Sequence, residues 1–186
     1  MKPLRTDRLI LRNWEDPDRD LFFRINSDDT VMEFFPFRRD RRQSDELMDT
    51  LAGRIEEHGF GFCALEIAAT GETAGFAGLS LTEGIPGVPD NSIEIGWRLA
   101  PEFWGKGYVT EAAIAWLDWG FANLEAEEIV SFAVDGNHRS TAVMQRIGMK
   151  RDISRDFDHP KVPDTHPQLK RHVFYALSCA QHNKTN

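Results

Sequence analysis

The sequence predicts a single α+β domain around a mixed sheet. Three observations point there. Short β-type runs alternate with segments of helical period. Two β-runs in the first half and a third after a Gly/Pro-rich loop read as a meander, followed by helix, strand, helix and two closing strands. No repeat, linker or low-complexity tract divides the 186 residues, a length that can bury a full core. The domain is expected over 1–180, with 181–186 as a polar, frayed tail. At 41% apolar and 28% charged, the composition is that of a soluble globular protein.

The elements follow in order. Asp7 to Trp14 is a short β-type segment with Leu9, Leu11 and Asn13 on one face. Asp16-Pro17 reads as an N-cap followed by proline, opening a helix that buries Leu21, Phe22 and Ile25. Phe34, Phe35 and Phe37 lie in an aromatic run ending near Pro36 and are expected in the core, with a pocket lining as the other reading. Arg38, Arg39, Arg41 and Arg42 read as a solvated loop, with phosphate contact second. Ser44 is expected to cap a helix to about His58, carrying Leu47, Leu51 and Ile55 and stopped by Gly59 and Gly61. Phe60 to Ala68 and Thr73 to Thr82 form a hairpin about Thr70-Gly71-Glu72, with Gly75 and Gly78 marking a bulge or close backbone approach. Glu83 to Asn91 is a Gly/Pro-rich loop. Ser92 to Leu99 is a strand, Gly107 to Ala122 a helix, and Glu127 to Val134 a strand. Asn137 caps a helix with Val143, Met144 and Ile147 inside and Gly148 at its C-cap. Met149 to Phe157 is a charged strand candidate, Asp158 to Lys170 a loop, and His172 to Ser178 the last strand.

Composition narrows the function. With 22 Lys plus Arg against 30 Asp plus Glu, the net charge is −8. That argues against nucleic acid, whose binders carry a basic face; it suits a cationic substrate such as an amine, or solubility alone. Cys63 and Cys179 are far apart, and no CxxC or Cys/His metal spacing occurs, so no metal is expected. The first residues, Met-Lys-Pro-Leu-Arg-Thr-Asp, hold no apolar signal region, and no run reaches membrane-spanning length. A reducing cytoplasm is the expected location. His138, His159, His166 and His172 are read as loop and surface residues.

The chain is arranged around Leu99 to Ala113. A strand ends at Leu99, Pro101 stops it, and Gly105 and Gly107 sit where a helix begins. Helix-start N–H groups without intrahelical partners, the helix dipole and unhindered glycines together make an anion site. It is not a P-loop, because G-x-x-x-x-G-K-[ST] is absent. Nor is it a dinucleotide fingerprint, because Gly105-Lys106-Gly107 is followed by Thr110 where the third glycine would stand.

Ile93-Glu94-Ile95-Gly96-Trp97, then Pro101-Glu102-Phe103-Trp104-Gly105-Lys106-Gly107-Tyr108 and Thr110-Glu111-Ala112, resembles the acetyl-CoA-binding motif of the GNAT superfamily of N-acetyltransferases. Asn137, Ser140 and Arg146-Ile147-Gly148-Met149 resemble a second signature of its RimJ/RimL-like branch, as does the opening Leu4 to Arg12. The resemblance spans about residues 3 to 179. It implies a mixed, mostly antiparallel sheet of about seven strands flanked by about four helices, and acetyl transfer from acetyl-CoA, a co-substrate, to a protein N-terminal or small-molecule amine. No metal, nucleic acid or membrane is implied, and either a monomer or a homodimer fits.

The resemblance also assigns roles. Trp104, Gly105, Lys106, Gly107, Tyr108, Val109 and Thr110 would hold the pyrophosphate, largely through main chain. Trp97, Arg98 and Leu99 would pair with the pantetheine arm like an added strand, with the sheet opening near Gly96. Asn137 would bond the pantetheine amide or simply cap its helix. Glu94 is the candidate base, and equally a structural glutamate; Ser140 is the candidate donor to the departing sulfur, or a local cap. Many superfamily members carry a general-acid tyrosine where this chain has Met144, which donates no proton. A CoA-binding or sensory module with little catalysis is the alternative. Glu33 to Phe37, Gly84 to Asp90 and the 158–170 loop are expected to shape the acceptor mouth.

Overall fold

A computed structural model describes residues 1–184. The fold divides into two compact units, one of Met1–Ser80 with Gly96–Ala115, the other of Leu81–Ile95 with Trp116–Asn186.

The first unit begins with β1 (Leu4–Arg5) and β2 (Leu9–Arg12), then carries β3 (Phe62–Ile67) and β4 (Thr73–Leu81). β1-β2-β3-β4 pair antiparallel in that order. β2 registers Leu9 on Ile67 and Leu11 on Leu65, and both leucines are fully buried. The glycines expected to mark close approach do so: a Cβ on Gly78 would stand 1.8 Å from the Gly61 carbonyl oxygen, and one on Gly75 would stand 2.2 Å from that of Arg98. α1 (Arg19–Ser27) follows a 3-10 turn over Asp16–Asp18. The cap of that turn is Glu15, not the expected Asp16, because Glu15 and Asp18 form a reciprocal capping box. α2 (Arg41–His58) likewise starts earlier than expected: Asp40 caps it with Gln43, and Ser44, the expected cap, lies inside the helix and is fully buried. Gly59 ends it in the left-handed conformation.

The phenylalanine run departs from the core expectation. Asp28 Oδ1 accepts the N–H groups of Thr30 and Val31, so the segment coils into turns rather than a strand. Met32 goes fully inside, while Phe35 and Phe37 remain 36% and 44% exposed. The arginines after it are solvated and paired as expected where they face carboxylates: Arg38 with Asp29, Arg41 with Asp20 and Asp45, Arg42 with Glu46.

β5 (Ile93–Leu99) starts in the second unit and ends in the first, as does the reverse for α3 (Tyr108–Asn123). In the second unit the start of β5 runs parallel to β6 (Glu128–Val134), pairing Ile93 with Ile129 and Glu94 with Val130. After α4 (His138–Arg146) come β7 (Lys150–Arg151), β8 (Phe157–Asp158) and β9 (Arg171–Ser178). β6, β7 and β8 all pair antiparallel with β9. The sheet is therefore mixed and mostly antiparallel.

Three expectations change here. Met149 to Phe157 breaks into β7, a 3-10 turn and β8, because Asp156 Oδ1 takes the Phe174 N–H that a continuous strand would have bonded. The Gly/Pro-rich loop sends Ile85 and Val88 into a cluster with Val130, Phe157 and Phe174. Residues 181–182 belong to α5 (Cys179–His182), closed by a Ser178–Gln181 capping box and by His182 Nε2 at 2.9 Å from Asp118; the rest of the expected frayed tail ends at 185–186, outside the described residues. Among the described residues no helix is long and apolar enough to cross a membrane, and no cluster of three His, Cys, Asp or Glu is placed to hold a metal.

Candidate functional site

In the first unit, the chain after Leu99 turns once as 3-10 helix over Pro101–Phe103. Gly105 and Gly107 then take φ of +72° and +78°, values that suit glycine and strain other residues. A Cβ on Gly105 would meet nothing within 4 Å, so glycine serves backbone conformation there and leaves open space beside the main chain. Gly105, Lys106 and Gly107 are exposed, whereas Tyr108, Val109 and Thr110 are half-buried. The Glu111 N–H bonds Gly107 at 3.1 Å as the helix begins, so N–H groups just before it have no i−4 partner within the helix. The turn is exposed and positively polarised, which fits a phosphate. Trp104 is tied to the strand end: its Nε1 donates to the Leu99 carbonyl at 2.8 Å.

Local sequence gave no sign of what braces this turn. Arg8 donates from NH1 to the Lys106 carbonyl (3.0 Å) and from Nε to Glu111 (2.6 Å), and its guanidinium lies over the Tyr108 ring at 4.9 Å. Glu111 also accepts from the Arg8 N–H (2.9 Å) and the Thr6 hydroxyl (2.5 Å). Burial pushes the Glu111 carboxyl up, but the Thr6 and Arg8 bonds outweigh it and hold it below the ordinary carboxylate range. Thr6, Arg8 and Glu111 appeared only as letters of the family motifs, because a contact spanning 103 residues leaves no periodicity to read.

Arg98 is the second feature of this unit. It donates from NH1 to Asn26 Oδ1 at 2.5 Å, and its guanidinium lies 4.4 Å from the Phe35 ring centre and 5.4 Å from that of Phe76. Trp97 is half-buried and Leu99 buried.

In the second unit, backbone pairing of β5 with β6 ends at Glu94 and Val130. The next β5 carbonyl, that of Ile95, accepts the Ser131 hydroxyl at 2.9 Å instead. A side-chain hydroxyl thus takes the bond that a ladder N–H would have made. Residues in register share a face, so Glu94 leaves β5 on the side of Val130 and its apolar cluster. Burial pushes the Glu94 carboxyl up to about 8, with the Lys161 ammonium pulling the other way.

The histidine expectation is corrected at His172, which lies on β9 and is only 8% exposed. Its ring sits 4.9 Å from that of His159 and stacks on Phe157 at 5.6 Å. Burial, then His172 and Lys161, lowers His159 to about 4; burial also lowers His172.

Asn137 does cap α4, its Oδ1 accepting the Ser140 N–H at 3.2 Å. Ser140 is half-buried on the first turn, while Met144 is 1% exposed and belongs to the core. A groove of about 550 Å³ beside β7, lined by Glu128, Lys150, Arg151 and Ser178, contains none of the expected site residues.

A family model described as an acetyltransferase (GNAT) domain matches residues 8–150. YkkB of Bacillus subtilis (strain 168), itself uncharacterized, is 34% identical over 149 residues, 78% of this chain and 84% of its own length. The crystal structure of an acetyltransferase from Agrobacterium tumefaciens str. C58 superposes with a TM-score of 0.72 at 27% identity, covering 95% of this chain and 94% of that one. Spermidine N-acetyltransferase from Vibrio cholerae, solved with CoA and spermine, reaches a TM-score of 0.72 at 16% identity over 96% of this chain and 99% of that one, which shows a shared fold.

Proposed function

Because the chain belongs to the GNAT acetyltransferase family, we propose that it transfers the acetyl group of acetyl-CoA to a primary amine, by direct attack of the amine on the thioester. In this reading residues 1–180 act as one catalytic domain. The observation that carries the proposal is Glu94: a carboxyl on the strand leading into the anion-binding turn, with its basicity raised to about 8. A base of that strength is about three thousand times stronger than an ordinary carboxylate, and is suited to removing an ammonium proton near neutral pH.

The remaining residues take supporting roles. Main-chain N–H groups from Gly105 to Thr110, flanked by Trp104 and Lys106, hold the pyrophosphate. Main chain at Trp97, Arg98 and Leu99 receives the pantetheine arm as an added strand. Asn137 offers its free amide edge to the same arm while capping α4. The amine nitrogen bonds to the acetyl carbon, the carbon–sulfur bond breaks, and the proton from nitrogen passes to Glu94 through water. The Ser140 hydroxyl donates a hydrogen bond to the departing sulfur. We assign the chain to the RimJ/RimL-like branch on its opening Leu4 to Arg12 and on the Asn137 to Met149 signature, with a protein N-terminus or a small amine as acceptor.

Met144 favours a second reading, a CoA-binding module of the same fold, because a core methionine occupies the position of the family's acid. Acetyl-CoA consumption over a broad amine panel decides between them. Turnover on any amine supports the enzyme; tight CoA binding without turnover on all of them supports the module.

A further inference from the structure

Arg98 is half-buried and carries a charge that no ion pair among the described residues neutralises. Among the described residues no carboxylate lies within ion-pair distance of Arg98 or of Arg39, although the nearby surface arginines Arg38, Arg41 and Arg42 each reach one. Arg39, a like charge, acts on Arg98: burial first, then Arg39, lowers Arg98 to about 10. Arg39 is drawn in by its own backbone, whose N–H donates to the Asn26 carbonyl at 3.0 Å. Its Nε is buried without a hydrogen-bond partner, and its guanidinium lies over Phe37 at 4.9 Å.

The surroundings are arranged to hold Arg98 in place rather than to satisfy it. Asn26 is fully buried, and its Nδ2 donates to the Phe22 carbonyl at 2.7 Å, which turns Oδ1 toward Arg98. That oxygen uses one guanidinium nitrogen. The Phe35 and Phe76 rings lie close to the guanidinium carbon and offer it no hydrogen-bond acceptor. A buried Arg39 Nε without a partner is costly unless an acceptor reaches it, and an anion would satisfy it best. A guanidinium edge matches the paired oxygens of a carboxylate or phosphate.

We propose that Arg98, with Arg39 beside it, receives an oxyanion carried by the acceptor amine, either a carboxylate or a phosphate, so that the preferred substrate is an amine with an acidic group. This rests on the reading of the chain as an amine acetyltransferase. The partly exposed Phe35 and Phe37 then form the aromatic lip of the anion receptor.

The test compares acceptors in pairs that differ only in the anion: α-amino acids against their carboxamides, and glucosamine 6-phosphate against glucosamine. The wild-type protein should favour the charged member of at least one pair by about tenfold or more in kcat/KM, the size of a single charge-assisted hydrogen bond. Which pair responds separates carboxylate from phosphate. Arg98→Gln should collapse that preference by losing far more on the charged member than on the neutral one, and Arg98→Lys should keep part of it. Arg39→Gln, which leaves the Asn26 contact intact, should lower the preference as well. Equal use of both members by the wild type, or an equal loss on both in Arg98→Gln, overturns the proposal. If no amine is acetylated, the enzymatic reading fails on its own, and thermal shift with the same pairs and no acetyl-CoA still tests the receptor. A charged member that raises the wild-type Tm but not that of Arg98→Gln supports it; no shift from any charged member refutes it.

Discussion

Replacing Glu94 by glutamine tests the proposed chemistry most directly. The carboxyl sits on the Val130 side of β5, where burial pushes it up to about 8. At pH 7 roughly one molecule in eleven then carries the carboxylate, and at pH 9 about ten in eleven, so a reaction that needs this base gains about tenfold in rate between them. A positioned general base contributes about 10²–10⁴, so Glu94→Gln should lose that much in kcat and flatten the pH profile. The assay follows the CoA thiol released, from about pH 6 to pH 9.5, with an arylamine acceptor that stays neutral over the range so that only the protein titrates. Acetyl-CoA affinity should fall less than turnover. A second readout needs no acceptor. Between the ordinary value of 4.5 and about 8, the folded protein holds a proton that the unfolded chain has lost. Stability conferred by that proton is complete below 4.5 and lost as pH rises through 8, at up to about 1.4 kcal/mol per pH unit. Glu94→Gln has no such slope. A flat wild-type rate profile, or a glutamine variant as active as the wild type, would falsify the assignment of Glu94 as base.

Other expectations concern the turn and the buried histidines. Gly107→Val places a branched side chain at φ +78° and within 3.4 Å of Arg8 NH2, which should cost about 1–2 kcal/mol and weaken acetyl-CoA binding in calorimetry; unchanged affinity would place the pyrophosphate elsewhere. Glu111→Gln removes the charge facing Arg8 and should destabilise by about 1–2 kcal/mol near neutral pH. Because the Glu111 carboxyl is held below its ordinary range, that gap should close as pH falls through its lowered value, read by denaturant titration in acid; a gap independent of pH would remove the charge from the brace. His159 is lowered from 6.5 to about 4, so the unfolded chain takes up the proton first. The contribution is complete above 6.5 and lost toward 4, and His159→Gln should flatten the acid limb of the stability curve; an unchanged limb would show that another group governs it.

Much of the fold was legible because its signals are local. Alternating Leu9 and Leu11, the Thr70-Gly71-Glu72 hairpin and the Asn137 cap all declare themselves within a few residues, and all stand in the structure. The errors have local causes too. Ser44 is an acceptable cap in sequence, but Asp40 can pair reciprocally with Gln43 and so starts α2 earlier. Three closely spaced phenylalanines suggest core, yet an Asp28 turn and Pro36 leave two of them at the surface. Of the candidate site, the glycine turn could be read from residue type and position, and Glu94 only through the family resemblance. The environment that raises Glu94, the Arg8–Glu111 brace and the unpaired Arg98–Arg39 couple could not, because each depends on residues brought together from distant parts of the chain.

The Arg8–Glu111 brace also bears on how the protein is made. Its partners are 103 residues apart, so the glycine turn cannot be locked until more than half of the chain has been synthesised and the start of α3 has folded back on the segment just before β2. Such a contact closes a large loop and belongs to the slow, high-contact-order part of folding. The turn is thus completed late, and nascent or N-terminally clipped chains would leave it loose even with both of its glycines in place.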